Sequence, residues 1–427
     1  MRTHITPRTA PAGIRSPGTS RRRAGAESPS ARALLLAGTA LLAAGAAVLS
    51  SPGALQSQVP LRGYVLGVGT RSDDGPLGPG GTTFVSRVRL MGAADLGPLG
   101  LEAAYEHVAT RTPRGGGFPI TGAVTPDSDD WAGLDWTLHE TTRTRWRHRF
   151  DRLALSLNAG SMEISVGRQA ISWGTTLFLT PADPFAPFDP SDPFREYRSG
   201  VDAARLRAFL SPFSEAEIVV RPADTRAGTT WTALARYQTS RGGWAVGGWA
   251  GLVHDEAGGA LFATGAVGST ALRGEVSLRR REGGGRVVRG AVGLDRRFSL
   301  SERDLYLIGE VQYDGFGAAS GSELLDVWTS KPFSRNEMQV SGRWAAMAQG
   351  SYQLHPLVSI SGLVLADLAD GSTLLSPGLA WSATASASVQ AGLFVGTGDG
   401  GVGPMGIPRS EFGAVPALGY LSLSLFF

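Results

Sequence analysis

Residues 419–427 read GYLSLSLFF, and this C-terminal stretch decides the class of fold. Its side chains alternate, with Leu421, Leu423, Leu425 and Phe427 on one face and Ser422 and Ser424 on the other. A period of two predicts a β-strand with one apolar and one polar face. The competing interpretation is an edge strand of a soluble sheet, where an exposed apolar end would promote aggregation. The stretch therefore favours a strand whose apolar face meets something other than water.

The same alternation recurs along the chain from residue 61 onwards. No sustained apolar period of 3.6 residues competes with it, so we predict an all-β chain with about eighteen strands. The predicted strands are 61–69, 83–92, 99–109, 143–157, 162–172, 201–210, 215–222, 229–239, 243–253, 260–268, 271–281, 286–298, 304–314, 338–353, 357–366, 372–382, 385–396 and 417–427. Pro377 weakens one of these strands, so sixteen strands is the alternative count.

Two architectures place such strands differently. A soluble sandwich buries its apolar face, whereas a transmembrane barrel turns that face to lipid and its polar face to a lumen. The apolar faces here are rich in Ala, Gly, Val and Leu, and aromatic residues such as Trp231 and Tyr237 stand near strand ends. Short connections such as 158–161 alternate with long ones such as 110–142 and 315–337, as in outer-membrane barrels. We therefore predict an antiparallel up-and-down transmembrane β-barrel over residues 58–427.

Residues 1–57 have the composition of a targeting segment. An arginine-rich start is followed by an unbroken apolar run from Ala33 to Leu49 and then by small residues. This order predicts a signal peptide, with a membrane anchor as the alternative. Cysteine is absent, which suits a chain that crosses the periplasm unfolded. The net charge of +3 is spread along the chain, so no nucleic-acid surface is predicted.

A proline-rich segment interrupts the strands between residues 173 and 200. Proline recurs at every third residue from Pro181 to Pro193. A polyproline II helix has about three residues per turn, so this spacing predicts a stiff rod with three faces. We expect its phenylalanines to lie against the barrel wall and its aspartates to face water or lumenal arginines. The predicted constriction residues are Asp183, Phe185, Phe188, Asp189, Asp192, Arg195 and Glu196.

A family resemblance is carried by residues around this segment. It comprises Arg149-Phe150-Asp151-Arg152-Leu153, Gly167-Arg168-Gln169, Trp173-Gly174, Pro181, Asp183, Asp189-Pro190, Arg195-Glu196, Gly200-Val201-Asp202-Ala203 and Arg221-Pro222-Ala223-Asp224. These residues resemble a porin-like group of Gram-negative outer-membrane β-barrel proteins. The resemblance is specific over about residues 145–225 and implies an outer-membrane protein, with no particular substrate. The terminal strand resembles those that the outer-membrane assembly machinery reads, through Leu423, Leu425 and Phe427.

Alternation also predicts which side chains line the lumen. The predicted pore-lining residues are Arg87, Arg89, Arg205, Arg207, Arg273, Glu275, Arg279, Arg289, Asp295, Glu310 and Gln312. Arginine dominates this set, so an open pore should favour small anions modestly. The alternative is that these charges pair with one another and fill the barrel.

The alternating arginines Arg143, Arg145, Arg147 and Arg149 form a further basic strand end. If they point outward, they would meet lipopolysaccharide phosphates, and the alternative is a solvated strand end. No histidine pair has metal-ligand spacing, and no nucleophile elbow, P-loop or zinc-protease motif occurs, so neither an enzyme nor a cofactor is predicted.

Three functions fit these observations. The first is a channel for passive diffusion of small polar solutes across the lipid bilayer of the outer membrane. The second is a plugged barrel with a surface-binding or structural role. The third is a transporter of hydrophobic compounds, which would use Phe178, Phe185, Phe188 and Phe194 as an apolar track.

Overall fold

The computed structural model of the chain describes residues 61–427 apart from 77, 114–129, 186–193, 195–196, 226–227, 282–283 and 404–405. The predicted signal segment at 1–57 lies outside the described residues. No helix among the described residues is long and apolar enough to cross a membrane.

The strands, in chain order, are β1 (Arg62–Ser72), β2 (Gly81–Leu96), β3 (Leu99–Arg111), β4 (Asp135–Glu140), β5 (Thr144–Ala159), β6 (Met162–Gln169), β7 (Val201–Ser211), β8 (Ser214–Thr225), β9 (Gly228–Arg241), β10 (Trp244–Val253), β11 (Glu256–Val267), β12 (Thr270–Arg280), β13 (Arg286–Leu300), β14 (Arg303–Asp314), β15 (Trp344–His355), β16 (Val358–Asp367), β17 (Ser372–Thr384), β18 (Ala387–Thr397) and β19 (Leu418–Phe426). A 3-10 helix (Gly321–Glu323) and two short helices, α1 (Leu324–Trp328) and α2 (Lys331–Ser334), lie between β14 and β15.

Eighteen of these strands close into an antiparallel ring, which confirms the predicted barrel. The ring closes where β1 pairs with β19, from Tyr64 opposite Phe426 to Ser72 opposite Leu418. The nineteenth strand, β4, was not predicted. It pairs only with the first half of β5, which also pairs with β3, whereas the second half of β5 pairs with β6. The strand β4 is therefore a short addition to the wall and leaves the ring at eighteen.

The outside of the barrel is apolar and the inside is polar. On β19, Leu421 is 59% exposed whereas the next residue, Ser422, is 2% exposed. The same contrast holds on β13, where Val292 is exposed and Arg289 is buried. A soluble sandwich would bury these leucines and valines. The exposed apolar band on the outside of the barrel is therefore a lipid-facing surface.

The two ends of the barrel differ in their connections. At one end, called here the turn side, two-residue connections such as 160–161, 242–243 and 301–302 join the strands. At the other end, called the loop side, the connections include 170–200, 315–343 and 398–417. Two loop-side connections, 226–227 and 254–255, are short, so the alternation in length is less strict than predicted.

A β-bulge in β5 corrects the prediction for its arginines. The register jumps at Asp151, because Ala104 pairs with Arg152 and Tyr105 pairs with Phe150. An extra residue on one strand reverses which side chains face outward beyond it. Before the bulge Trp146 and His148 therefore face outward, and Arg147 and Arg149 face inward and are buried. The expectation that this strand presents arginines to lipopolysaccharide is wrong for these two residues.

Candidate functional site: a loop across the lumen

The connection between β6 and β7, residues 170–200, crosses the interior of the barrel, and we call it the lumen loop. Its described residues contact strands all around the ring. Trp173 Nε1 donates a 3.0 Å hydrogen bond to Glu217 on β8. The backbone oxygen of Phe194 accepts one of 3.4 Å from Arg87 on β2. The Phe194 ring packs edge-on against Tyr420 on β19, with centroids 5.0 Å apart. Only a segment inside the barrel reaches all these strands.

Two inward-facing carboxylates hold the backbone of the lumen loop. Glu310 on β14 accepts the amides of Leu177, Phe178 and Leu179 at 2.6, 3.0 and 2.7 Å. Glu275 on β12 accepts the amides of Thr175 and Ala182 at 2.6 and 3.0 Å. A carboxylate that accepts several backbone N–H groups replaces hydrogen bonds that a loop otherwise makes with water. Both residues were predicted to line the pore, and the structure places them under the loop.

Gln339, from the loop-side connection 315–343, completes this attachment. Its Oε1 accepts the amide of Thr180 at 2.6 Å, and its Nε2 donates to the backbone oxygen of Phe178. The lumen loop is therefore held by the wall on one side and by a second loop on the other.

An apolar cluster fixes the middle of the lumen loop against β7–β11. Phe185 is buried and packs edge-on against Trp173, with ring centroids 4.9 Å apart. Val219, Leu234 and Trp249 from the wall belong to the same cluster. Trp249 Nε1 donates a 3.1 Å hydrogen bond to the backbone oxygen of Ala182. Phe185 thus lies on the wall side of the loop.

Asp183 is oriented differently from the prediction. It is buried, and its Oδ1 accepts the amides of Trp173 and Phe185 at 3.3 and 3.1 Å. Its Oδ2 accepts a 3.0 Å hydrogen bond from Arg198, which is a residue of the loop itself. The backbone from Thr180 to Asp183 forms a hydrogen-bonded turn of 3.1 Å, whereas a polyproline II helix has no internal hydrogen bonds. The start of the predicted rod is therefore a turn closed on its own aspartate.

The other predicted constriction residues, Phe188, Asp189, Asp192, Arg195 and Glu196, lie outside the described residues.

The C-terminal end of the lumen loop rests on two buried ion networks. In the first, Arg89 joins Glu106 and Asp151 at 2.5 and 2.6 Å, and Arg149 joins the same two carboxylates at 2.8 and 3.3 Å. Arg89 also lies 4.8 Å from the ring centroid of Tyr197 in the loop. Arg152 also reaches Asp151, at 3.8 Å, so each buried carboxylate contacts at least two arginines, as buried charges require.

In the second network, Arg168 makes a bidentate contact of 2.9 Å with each carboxylate oxygen of Asp202. It also reaches Asp130 at 2.7 Å and the backbone oxygen of Ala132 at 2.7 Å. Gly200 fits between the networks, since a Cβ there would stand 2.1 Å from the Asp151 backbone oxygen. Three of the motifs that carry the family resemblance, 149–153, 167–169 and 200–203, therefore form the base of the lumen loop.

Beneath the loop, on the turn side, a cavity of about 590 Å³ opens in the lumen. Its lining includes Leu177, Phe178 and Arg198 from the loop, and Tyr306, Ile308, Gln349 and Ser351 from β14 and β15. One wall is thus apolar, and Arg198 brings a cation to the other.

The remaining predicted pore residues fall into two groups. On the loop side they are buried in pairs. Arg289 contacts Asp314 at 3.0 and 2.8 Å, and Arg279 contacts Glu256 at 2.9 Å together with Glu337. Gln312 is also buried.

On the turn side the arginines are partly open. Arg205 contacts Glu217 at 2.7 Å, Arg207 contacts Glu163 and Glu215 at 3.3 Å each, and Arg273 contacts Asp295. The structure therefore does not bring the predicted set into one ring. It divides the set into a loop-side filling and a turn-side lining.

A neutral histidine lies at the loop-side mouth. His254, at the turn between β10 and β11, is buried, and its pKa falls to about 2 through burial and then through Arg221, Arg335 and Arg279. Its neutral ring pairs with Thr230 Oγ1 at 2.7 Å. Burial and these three arginines therefore keep the His254 ring neutral.

The connections 315–343 and 398–417, called here the mouth loops, are joined by the carboxyl group of Glu411, a half-buried residue. Glu411 of the second accepts hydrogen bonds from the Ser341 amide, at 3.0 and 2.9 Å, and from its hydroxyl at 3.0 Å. The pKa of Glu411 is raised well above its usual value by burial and by the charge of Asp367.

Several residues of this site escaped prediction, among them Glu106, Asp151, Glu217, Arg198 and Gln339. The bulge at Asp151 is visible in the sequence, because the apolar residues Phe150 and Leu153 stand three positions apart. An uninterrupted strand would space apolar residues of one face by two. The others show no such signal, since their partners lie far away in sequence. In the described part of the chain, no cluster of three or more His, Asp or Glu residues is placed to hold a metal ion.

Several solved structures share this architecture. A BenF-like porin from Pseudomonas fluorescens Pf-5 superposes with a TM-score of 0.53 at 8% identity, over 88% of this chain and 100% of that one. OccAB4 of Acinetobacter baumannii gives 0.52 at 10% identity, over 87% and 100%. OccK2 (OpdF) of Pseudomonas aeruginosa gives 0.51 at 11% identity, over 86% and 96%.

No protein-family model matches the sequence, and neither does any curated protein. At these identities the likeness concerns the fold. The chain has the fold of the outer-membrane porins of Gram-negative bacteria.

Proposed function

We propose that the protein is an outer-membrane channel through which small polar solutes diffuse passively, with a modest preference for anions. One observation carries this proposal: the lumen loop crosses the barrel on carboxylate supports and leaves a cavity on the turn side, to which Arg198 contributes a cation. A loop that narrows the lumen at one level sets the size of solute that passes.

The preference for anions follows from which charges face the free space. Arg205 is 19% exposed whereas its partner Glu217 is 1% exposed, and Arg198 is 23% exposed whereas Asp183 is fully buried. The arginines therefore stand nearer to a passing solute than their carboxylates. Because each has a carboxylate partner, the field is weak, and the preference is modest.

Planar bilayer recordings of the pure, refolded protein test this function. We expect stepwise currents and, in a KCl gradient, a reversal potential on the anion-selective side. The Arg205→Gln, Arg273→Gln double variant should shift the reversal potential toward zero. If neither the wild type nor a variant with a released lumen loop, such as Glu310→Ala, gives current steps, the proposed channel function is overturned.

A plugged barrel is the second candidate, because the mouth loops interlock through Glu411 and Ser341. This hypothesis predicts no current steps from the wild type and steady current steps once Glu411 or Glu310 is replaced. The hydrophobic track has less support, since Phe185 and Phe194 are buried and, among the phenylalanines of the track that the structure describes, only Phe178 lines the cavity.

We further propose two partners for the barrel surface. The outward Leu423, Leu425 and Phe427 would be read by the assembly machinery, and the loop-side rim would contact lipopolysaccharide. Replacing Phe427 by Asn and measuring the assembled fraction in membranes tests the first contact.

A further inference from the structure

The outer face of the barrel from β17 through β18, β19, β1 and β2 to β3 carries two troughs that the channel does not use. One, of about 770 Å³, is lined by Gly69, Phe84, Leu379, Leu393 and Leu421. The other, of about 420 Å³, is lined by Gly67, Phe84, Ser86 and Ala109. The exposed ring of Phe84 stands between them as a ridge.

The troughs exist because β1 lacks outward side chains at this level. Gly67 and Gly69 occupy outward positions, and a Cβ at Gly67 would meet nothing within 4 Å. Their neighbours on β19 are Leu423 and Leu421, and their neighbours on β2 are Ser86 and Phe84. The backbone is therefore uncovered at Gly67, whereas the Phe84 ring lies 3.4 Å from where a Cβ of Gly69 would stand. The grooves on either side of Phe84 have the form that an extended hydrocarbon chain fits.

An arginine stands at the loop-side end of each trough. Arg71 follows Gly69 on the same face of β1, and Arg111 pairs with Phe84 from β3. Both are exposed, and neither forms an ion pair in the described part of the chain. Strands about 4.8 Å apart that rise about 3.4 Å per residue place their Cα atoms about 12 Å from each other.

Aromatic residues mark the depth of these arginines. Trp146 on β5 pairs with Ala109, two residues from Arg111, and is exposed on the outer face. Its ring contacts that of His107, and His107, His148 and Tyr105 contact one another. Such belts lie at the boundary between hydrocarbon and headgroups, so the arginines reach the headgroup layer while the troughs reach into the hydrocarbon.

We propose that this face binds one lipopolysaccharide molecule, with its phosphates on Arg71 and Arg111 and acyl chains in the troughs beside Phe84. Two separated cations over two apolar grooves match a lipid that carries more than one phosphate and several chains on one headgroup. Guanidinium groups bind phosphate through paired hydrogen bonds. The inference deepens the proposed outer-membrane placement and rests on it, because it requires the loop side to face the outer leaflet.

Native mass spectrometry of the refolded protein in detergent tests the site, with purified lipopolysaccharide titrated in. We expect one tightly retained molecule on the wild type and a loss of affinity of at least about tenfold in the Arg71→Gln, Arg111→Gln double variant. Arg280→Gln is the matched control, since Arg280 is exposed on the outer face at the loop-side end of β12, far around the ring. A change in gel mobility on heating verifies that each variant is folded before it is heated.

Dephosphorylated lipopolysaccharide and phosphatidylglycerol separate the sources of phosphate. The proposal requires that both bind the wild type at least about tenfold more weakly than intact lipopolysaccharide. Equal retention of phosphatidylglycerol, an unchanged double variant, or an equal loss in Arg280→Gln overturns it. Because the assay records no current, a non-conducting barrel that retains the lipid refutes the channel alone, and a conducting barrel without retention refutes this site alone.

Discussion

The carboxylate of Glu310 on β14 accepts the backbone amide of Leu177 at 2.6 Å, although the two residues are 133 positions apart in the chain. The next two amides of the loop reach the same carboxylate. One wall residue thus holds a whole turn of the lumen loop, and the position of that loop depends on it.

Replacing Glu310 by Ala should release the lumen loop. Three amides lose a charged acceptor, and hydrogen bonds to charged groups contribute about 1.5 to 3 kcal/mol each. Even one such loss at the lower figure, about 1.5 kcal/mol, raises the undocked fraction roughly tenfold. We expect larger and noisier single-channel conductance in planar bilayers.

Glu163→Ala is the matched control, because Glu163 is a lumenal carboxylate whose partner is Arg207 and which contacts no loop amide. Its conductance should stay close to that of wild type. Equal changes in the two variants would show that lumenal charge, and not loop attachment, controls the current.

Gly200 should tolerate no side chain. A Cβ would lie 2.1 Å from the backbone oxygen of Asp151 and 2.7 Å from Cγ of Arg168. Because backbone cannot move aside as a flexible side chain does, we expect Gly200→Ala to cost about 2 kcal/mol in the free energy of unfolding. Urea titration in lipid vesicles measures it. Gly133→Ala, with open space around its Cβ, should unfold at the wild-type urea concentration.

The strands were predictable because each repeats a two-residue pattern that lipid and lumen enforce locally. The bulge at Asp151 shifts that pattern by one residue, so an uninterrupted alternation wrongly predicts that Arg147 and Arg149 face outward. The alternation correctly predicts that the hydrogen-bond acceptors Glu275 and Glu310 face the lumen. Their role was not predictable, because it depends on amides about a hundred residues away. The turn at Thr180–Asp183 was not predictable, because the proline spacing carries no information about the hydrogen bonds of Asp183.

Asp151 should be more important for folding than its place in a bulge suggests. It joins Arg89 at 2.6 Å and Arg149 at 3.3 Å in a buried network. Removing one partner of a buried ion pair leaves an uncompensated charge and costs about 3 to 5 kcal/mol. We expect Asp151→Ala to lower the urea midpoint strongly and Asp151→Asn to lower it less, since the amide oxygen still accepts. Unfolding at the wild-type midpoint in both variants would show that the network contributes nothing net.

Glu411 should make the attachment of the mouth loops sensitive to pH. Burial first, and the charge of Asp367 second, raise the pKa of Glu411 well above 4.5. A group whose pKa is higher in the folded protein stabilises the fold fully below its unfolded pKa and loses that contribution as pH rises through the folded value. The mouth loops should therefore be held most firmly at about pH 4 and loosen towards alkaline pH.

Glu411→Gln imitates the protonated acid and should remove this dependence. Near pH 4 its melting temperature should match that of wild type, and the variant should become the more stable protein as pH rises. Glu323→Gln is the control, because Glu323 is an exposed carboxylate of the neighbouring mouth loop, 3.9 Å from Arg343. It should follow wild type at every pH. A wild type that gains stability over Glu411→Gln with rising pH would mean that Glu411 is held as a carboxylate by its Ser341 donors.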